Sequence, residues 1–377
     1  MSKYTNLIVG AGISSATVAR KIAEEWNEPV LVIDAKPHIG GNVYDYCDAH
    51  GIMVHQYGPH IFHTNNKEVW DFLSRCTKWR PYHHKVQGLV DGKFVPIPFN
   101  LNSLRLVFPN VLADKIENKL LDKFGFNKKV PILELRKADD KDLEFLAGYI
   151  YEKIFLEYTI KHWGLAPDQI DPSVSARVPV YVSRDDRYFQ DKYQGIPLEG
   201  YTAMVQNILD HPNIEVCLNT PFAKDMHYGR LFWTGSIDEF FDNRFGMLPY
   251  RSVVFDFLTF DQTQFQEVAQ VNYPTNYDFT RITEYKHFLR ENSPKTTISY
   301  EYPADFKVGV NDRQYPIAND GNALLYAKYF VLAEKLPNVH FLGRLGDYKY
   351  YNMDKAVARA LEVTTQVVMQ GEVRKCA

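Results

Sequence analysis

Apolar and polar positions follow several different schedules along this chain, and the schedules change in blocks. Asn6–Val9 is a short unbroken apolar run after its first residue, as a strand buried on both faces requires. From 14 to about 25 the apolar residues Ala16, Val18, Ala19, Ile22 and Ala23 recur at helical spacing, and Val30–Ile33 returns to a strand-like run. Strand, glycine turn, helix, strand is a βαβ schedule. From about 103 to 163 charged and apolar residues alternate as in helices, for instance in Val111-Leu112-Ala113-Asp114-Lys115-Ile116-Glu117. Residues from about 178 to 193 are irregular, polar and rich in Arg and Asp, and are expected to form a mobile loop. Residues 248–260 and 295–303 alternate like antiparallel strands. Two later segments, 231–235 and 339–344, each read as a strand running into a glycine, as if the chain returned to its first domain. A closing helix is predicted over 355–368, with Ala356, Val357, Ala360, Leu361 and Val368 at core spacing and Thr364 the one polar member of that face.

Composition narrows the class of protein without identifying it. Hydrophobic residues make 45% and charged residues 24% of 377, the profile of a soluble globular chain of about two or three domains. A net charge of −3 gives no general attraction to nucleic acid or to an anionic membrane. No apolar run is long enough for membrane insertion. Lys3 ahead of Leu7-Ile8-Val9 imitates a signal peptide, but Gly10 and Gly12 break the run and Arg20-Lys21 follows it. Cys47, Cys76, Cys217 and Cys376 are far apart, which disfavours a metal site or a disulfide scaffold and fits a cytoplasmic location. Aromatic residues reach 14%; they suit stacking on planar or sugar ligands, although most must be core.

The first chemistry lies in the first turn. Gly10-Ala11-Gly12-Ile13-Ser14-Ser15 follows a strand and opens a helix, the context a dinucleotide fingerprint needs. Gly10 permits the tight turn and Gly12 lets backbone approach a pyrophosphate at the helix N-terminus, while Ser15 departs from the third glycine. Asp34 ends the second strand, with Ala35 beside it, at the distance of about 20 residues where a carboxylate accepts from a ribose hydroxyl. A second glycine pair, Gly40-Gly41-Asn42, offers further backbone N–H groups to phosphate and favours FAD over NAD. A tight turn without a cofactor remains the alternative for the glycines taken alone.

The next segments carry a resemblance. Tyr57-Gly58-Pro59-His60-Ile61-Phe62-His63-Thr64-Asn65 resembles a motif of the UDP-galactopyranose mutases. So do Tyr158-Thr159-Ile160-Lys161-His162-Trp163-Gly164, Tyr193-Gln194-Gly195-Ile196-Pro197, Tyr250-Arg251-Ser252 and Thr280-Arg281-Ile282-Thr283-Glu284. Tyr315-Pro316 and the run from Gly343-Arg344 to Tyr350-Tyr351-Asn352-Met353 continue the series in family order over nearly the whole chain. The resemblance implies an α/β fold: a Rossmann-like FAD-binding domain (1–80, 200–245 and 317–377), a helical-bundle insertion (103–163), and an antiparallel β-sheet domain. The last comprises 81–102, 164–199 and 246–316, with a mobile loop near 178–187.

It also implies FAD, active when reduced, whose N5 attacks the anomeric carbon of a nucleotide-linked sugar so that pyranose and furanose interconvert without net redox change. UDP-galactose is the first expected donor; dTDP-fucose, UDP-N-acetylgalactosamine and a GDP-linked sugar are alternatives. A FAD-dependent amine-oxidase-like oxidoreductase, or a flavin-binding module without catalysis, would not need the later motifs. A role in bacterial surface polysaccharide synthesis, a homodimer and a reductant such as NAD(P)H complete the expectation. By the same resemblance His63 backs the flavin and Arg281 clamps the diphosphate. Gly10, Gly12, Ile13, Ser14, Asp34, Ala35, Gly40, Gly41, Asn42, His60, Ile61, Thr234, Gly235, Gly343, Arg344, Asn352 and Met353 border the cofactor. Tyr158, Thr159, Trp163, Tyr188, Tyr193, Arg251, Tyr315 and Tyr350 face the donor.

Two departures stand out. Where the family usually places a lid arginine after Arg177-Val178-Pro179-Val180, this chain has Tyr181, which is expected to reshape the donor pocket while Arg184 or Arg187 takes over part of the diphosphate binding. Where the family usually has Asp, this chain has Asn352.

Overall fold

The computed structural model describes residues 4–166, 169 and 179–376, the stretch 368–376 by its backbone alone. Asn6–Val9 takes the centre of a five-stranded parallel sheet, between Val30–Ile33 and Arg230–Trp233, with Ile214–Cys217 and Val339–Phe341 at the edges. Both predicted returns therefore join this sheet. Ile8, Val32 and Phe232 are wholly buried, which is why these strands read as apolar runs. Helix Ile13–Lys21, continued by a wider turn at Ile22–Trp26, packs with Tyr201–Leu209 and Met353–Cys376 on one core. Within the last helix Thr364 is buried and its hydroxyl donates to the carbonyls of Ala360 and Leu361, so one polar residue is tolerated on the apolar face. Among the described residues no helix is long and apolar enough to cross a membrane.

Helices from Leu101–Val107 to Glu157–Trp163 enclose a second core with Ile116, Leu120, Leu146 and Ile154. A seven-stranded sheet forms the third body, its longest pair Tyr250–Phe260 against Thr296–Asp305, antiparallel as the alternation predicted. One pairing in it, Gln270–Asn272 with Val86–Val90, is parallel.

Two expectations about the region from 178 to 199 are corrected. Val180–Val182 is a buried strand paired with Lys128–Val130 and tied to Phe99 through the Tyr181 N–H. The apolar Val180 and Val182 draw it into the helical core despite the polar sequence that follows. Arg177 and Val178 lie outside the described residues. Tyr193–Pro197 leaves the large sheet and pairs with Phe62–Thr64 and Trp79–Pro81 in a three-stranded sheet.

Candidate functional site

The parallel sheet positions the cofactor cavity. Asn6–Val9 has its helix-linked neighbour Val30–Ile33 on one side and the later strand Arg230–Trp233 on the other, the topological switch point where such sheets bind ligands. A Cβ on Gly10 would come within 2.2 Å of Thr234 Oγ1, and its φ of +104° is one that side chains rarely adopt. Gly10 is therefore required by the protein itself. Gly12 differs: its Cβ would meet nothing nearer than Gly41 Cα at 3.8 Å, and it faces Gly40 across a short bridge. Gly12, Gly40 and Gly41 thus leave a cradle at the start of helix Ile13–Lys21, whose Gly12 cap has no side chain over the free N–H groups.

The cavity above this cradle is roughly 750 Å³, within the range for cofactor sites. Gly10, Gly12, Ile13, Ser14, Asp34, Ala35, Gly40, Gly41, Asn42, His60, Thr234, Gly235, Gly343, Arg344, Asn352 and Met353 all line it. Ile61 does not; its side chain packs against the core of Ile52, Val54, Tyr285 and Phe288. Asp34 is held by the N–H groups of Ala11 and Lys36, one on each oxygen, at 2.7 and 2.9 Å. Lys36 and Asp312, which no sequence pattern marks, bridge the far end at 2.9 Å and bring a loop of the large sheet over the cavity.

The second part of the site is an aromatic cleft. Trp163, on helix Glu157–Trp163, meets Tyr350 edge-on at 5.5 Å and Tyr315 at 6.2 Å, and Tyr315 meets Tyr350 at 5.3 Å. The Arg344 guanidinium lies 5.4 Å from the Tyr315 ring and 5.3 Å from the Tyr350 ring, joining this cleft to the cavity. His162 stacks parallel to Tyr158, and Thr159 is buried beside it. Burial pushes the Tyr315 hydroxyl up to about 12 and raises Tyr158 as well, so both remain hydrogen-bond donors at neutral pH. Burial holds His60, His84 and His162 neutral, each at about 3.

Arg281 supplies the charge. Its Nε lies 2.6 Å from Glu301 Oε2, an ion contact whose angle leaves that nitrogen without a well-directed hydrogen bond. Burial works against the charge on both groups, but Glu301 more than offsets it and keeps Arg281 protonated. A surface pairing of Arg281 with Glu284 does not occur, since Glu284 is buried with His287, Thr296 and two backbone amides. The Arg281 charge acts on Tyr158, Tyr315, His60, His84 and His162 together, which places it between cleft and cavity.

His63 is close by but does not itself line the cavity. Its ring stacks on Phe189 at 3.6 Å, with Asp191 on one nitrogen and Asn352 on the other. Phe189, Asp191 and Glu301 escaped the sequence reading, because nothing in a polar loop or an alternating strand separates them from their neighbours. Tyr188 packs edge-on to Phe189 and acts electrostatically on Tyr158, at the helical side of the cleft.

Four expected donor residues are placed elsewhere. Tyr193 stacks on Trp70 at 5.1 Å, in the aromatic layer of the three-stranded sheet. Arg251 is buried, donating to the carbonyls of His162 and Lys161 and paired with Asp305; it fastens the helix that carries Tyr158 and Trp163. Tyr181 is buried beneath Lys129 in the helical body. Arg184 is paired with Glu117, and its neighbour Arg187 with Asp185, so neither is free to substitute for a lid arginine in this arrangement.

A dinucleotide-type cavity meets, at Arg344, a cleft of tyrosines around one partly neutralised arginine, and the comparisons with known proteins point the same way. The UDP-galactopyranose mutase family model matches residues 153–350, and an NAD(P)-binding Rossmann-like model matches 8–76. A probable UDP-galactopyranose mutase of Klebsiella pneumoniae is 37% identical over 372 residues, 97% of this chain and 95% of the relative. A dTDP-fucopyranose mutase of Escherichia coli is 35% identical over 94% of this chain and 96% of its own length. In fold, a crystal structure of reduced UDP-galactopyranose mutase matches with a TM-score of 0.75 at 14% identity, over 98% of this chain and 95% of the other. The chain belongs to the UDP-galactopyranose mutase family. It is an isomerase, a pyranose–furanose mutase of the UDP-galactose or dTDP-fucose type.

Proposed function

We propose that this chain interconverts the pyranose and furanose forms of UDP-galactose with FAD as its cofactor. The observation that carries the reading is the junction at Arg344, which lines the cavity over the glycine cradle and faces the Tyr315 and Tyr350 rings of the cleft that Trp163 also walls. The cradle fits a flavin dinucleotide because Gly12 leaves the helix start uncovered, while Gly40 and Gly41, at φ of +91° and +55°, turn the backbone tightly against it with no room for side chains. Asp34 would hold the ribose and the first turn of helix Ile13–Lys21 the pyrophosphate. Reduced flavin supplies the nucleophile toward the anomeric carbon.

The chain's own residues do the rest. Arg281 orients the donor diphosphate and balances its charge as that group departs and returns. Tyr315 and Tyr350 donate to its oxygens, and Tyr158 does so from the helical side. Trp163 closes the wall and keeps water from the opened sugar. Among the described residues no group of three His, Cys, Asp or Glu is arranged to hold a metal. The identity of the E. coli relative favours dTDP-fucose as the second donor. The wider reading is a cytoplasmic homodimer kept reduced by a donor such as NAD(P)H and feeding surface polysaccharide synthesis.

A panel of nucleotide sugars incubated with dithionite-reduced enzyme tests this. UDP-galactose should equilibrate with its furanose form, with no reductant consumed per turnover and almost no activity in oxidised enzyme. Conversion of dTDP-fucose alone would move the assignment to that donor, and stoichiometric consumption of reductant or oxygen would replace it with an oxidase.

A further inference from the structure

Between a backbone amide and the cofactor cavity four side chains stand in line, and their donor and acceptor roles follow one from another. The Lys192 N–H donates to Asn65 Oδ1 at 2.8 Å. A backbone nitrogen only donates, so the Asn65 amide nitrogen must point the other way. It donates to Asp191 Oδ1 at 2.6 Å. Asp191 Oδ2 lies 2.8 Å from His63 Nδ1, and an ionised carboxylate only accepts, so Nδ1 carries the proton. His63 Nε2 is left with its lone pair facing Asn352 Nδ2 at 3.3 Å. Stacking on Phe189, with planes 13° apart, fixes the ring orientation. Asn352 reaches the cavity wall; His63 stands directly behind it.

The geometry points to Asn65, Asp191 and Asn352 as positioning residues that fix the His63 proton on Nδ1 and present the ring to the cofactor cavity through an uncharged amide. The cavity's occupant is the flavin of the function proposed above, and the inference rests on that reading. The departure from the family's Asp at this position is what gives it content. With Asp at 352, carboxylates would flank both ring nitrogens, both would have to donate, and His63 would become an imidazolium. The summed charge of the three groups would be the same, but one proton would be stored behind the cavity wall. Asn352 removes the reason to store it and leaves Nε2 a basic lone pair.

Other groups around His63 do not change this balance. His84 acts on it from the strand side and is held neutral by burial. Asp354 is reached only through the Thr64 hydroxyl, and Lys129 acts on Asp191 from the helical body.

Nitrogen-15 spectra of histidine-labelled, flavin-loaded protein test the inference without any donor present. The His63 signals are assigned by their loss in His63→Gln. At neutral pH the parent should show a protonated Nδ1 and an unprotonated Nε2. Asn352→Asp should raise the His63 midpoint by at least about one pH unit, as an added carboxylate neighbour does. Asp191→Asn should yield a mixture of both tautomers. A parent ring protonated at Nε2, or an Asn352→Asp midpoint within about 0.2 units of the parent, overturns the proposal. The parent spectrum needs no variant, and residue 352 is exposed to the cavity, so misfolding of Asp191→Asn leaves the decision intact. Correct tautomers in a protein that converts no nucleotide sugar would sink the mutase reading and leave the relay standing; the reverse pattern would sink the relay alone.

Discussion

The cofactor cavity and the donor cleft meet at Arg344, yet they are built in opposite ways. The cavity's floor comes from one stretch of chain, Gly10 to Asn42, and works through backbone: glycines without side chains, a helix end without a cap, amides around Asp34. The cleft is assembled from residues 158, 163, 281, 315 and 350, and works through side chains on a helix, two strands and a loop. Backbone sites tolerate no added bulk, while side-chain sites fail by loss of a group. The two should therefore break differently under substitution.

Gly12→Val is the largest test. The Cβ of a branched side chain there makes only ordinary contact with Gly41 Cα and Gly40 O, at 3.8 and 3.9 Å, and its bulk stands in the cradle. The variant should fold and purify without a flavin absorption band. Normal flavin stoichiometry would mean that the cradle is only a turn. Gly10→Ala is the control, since it collides with Thr234 and should lower stability as well.

Arg281→Ala comes second and inverts the pattern. Flavin should stay bound, while kcat/KM falls at least about a hundredfold, the loss of about 2–5 kcal/mol expected when one partner of a buried charge pair is removed. Part of that loss reflects Glu301, left buried without its partner. A variant within a few-fold of the parent would take Arg281 out of the diphosphate site.

Arg251→Ala separates building from binding within the cleft. Two backbone carbonyls at the end of helix Glu157–Trp163 lose a charged donor, so stability should fall by about 2–4 kcal/mol in urea titration. Donor binding should weaken only as far as that helix shifts. A rise in KM alone, with stability intact, would make Arg251 a donor ligand after all.

This division also decides what was legible in sequence. The glycine turn, Asp34, the Gly40–Gly41 pair and the return strands were readable from local patterning, whereas the rest of the cavity lining, from His60 to Met353, came with the resemblance. Arg281 and the tyrosines were legible only through resemblance, since no spacing rule joins residues a hundred positions apart. Arg251 shows the limit of resemblance: the motif located the residue, but only the carbonyls it meets reveal that it fastens a helix. The segment 178–193 misled for a physical reason. Its Arg and Asp residues pair with one another and with Glu117, so charges that suggested exposure are neutralised at the surface of a buried strand.

A smaller effect is expected from acid. The folded His162 value, about 3, lies below the ordinary 6.5, so between them the folded chain binds fewer protons than the unfolded one. The stability this contributes is complete above about 6.5 and is lost as pH falls through that window, by up to about 1.4 kcal/mol per pH unit. His162→Gln should flatten the decline of the urea midpoint below pH 6.5. Its ring contacts with Tyr158 and Tyr315 would be lost, so a modest rise in KM should accompany the change. An unchanged acid slope would mean that His55, His60 and His84 carry the whole effect.

The smallest effect belongs to Arg184, and it bears on whether the cleft is complete in this arrangement. Arg184 is 44% exposed and held by Glu117, which Arg105 also contacts. Arg184 is open to solvent, and Arg105 remains on the buried Glu117 when it is removed, so Arg184→Ala should change stability by no more than about 1 kcal/mol. If the diphosphate is served by Arg281 and the tyrosines, kcat/KM should also stay within about threefold of the parent. A fall of more than about tenfold would mean that Arg184 leaves Glu117 when donor binds, and that the helical body moves toward the cavity to bring it there. Tyr181→Arg distinguishes the two cases. Tyr181 is 7% exposed and its N–H is bonded to Phe99, so a guanidinium there has no route to the cleft without unseating the strand. It should cost stability and improve no donor; improvement with any nucleotide sugar would show that this strand opens during turnover.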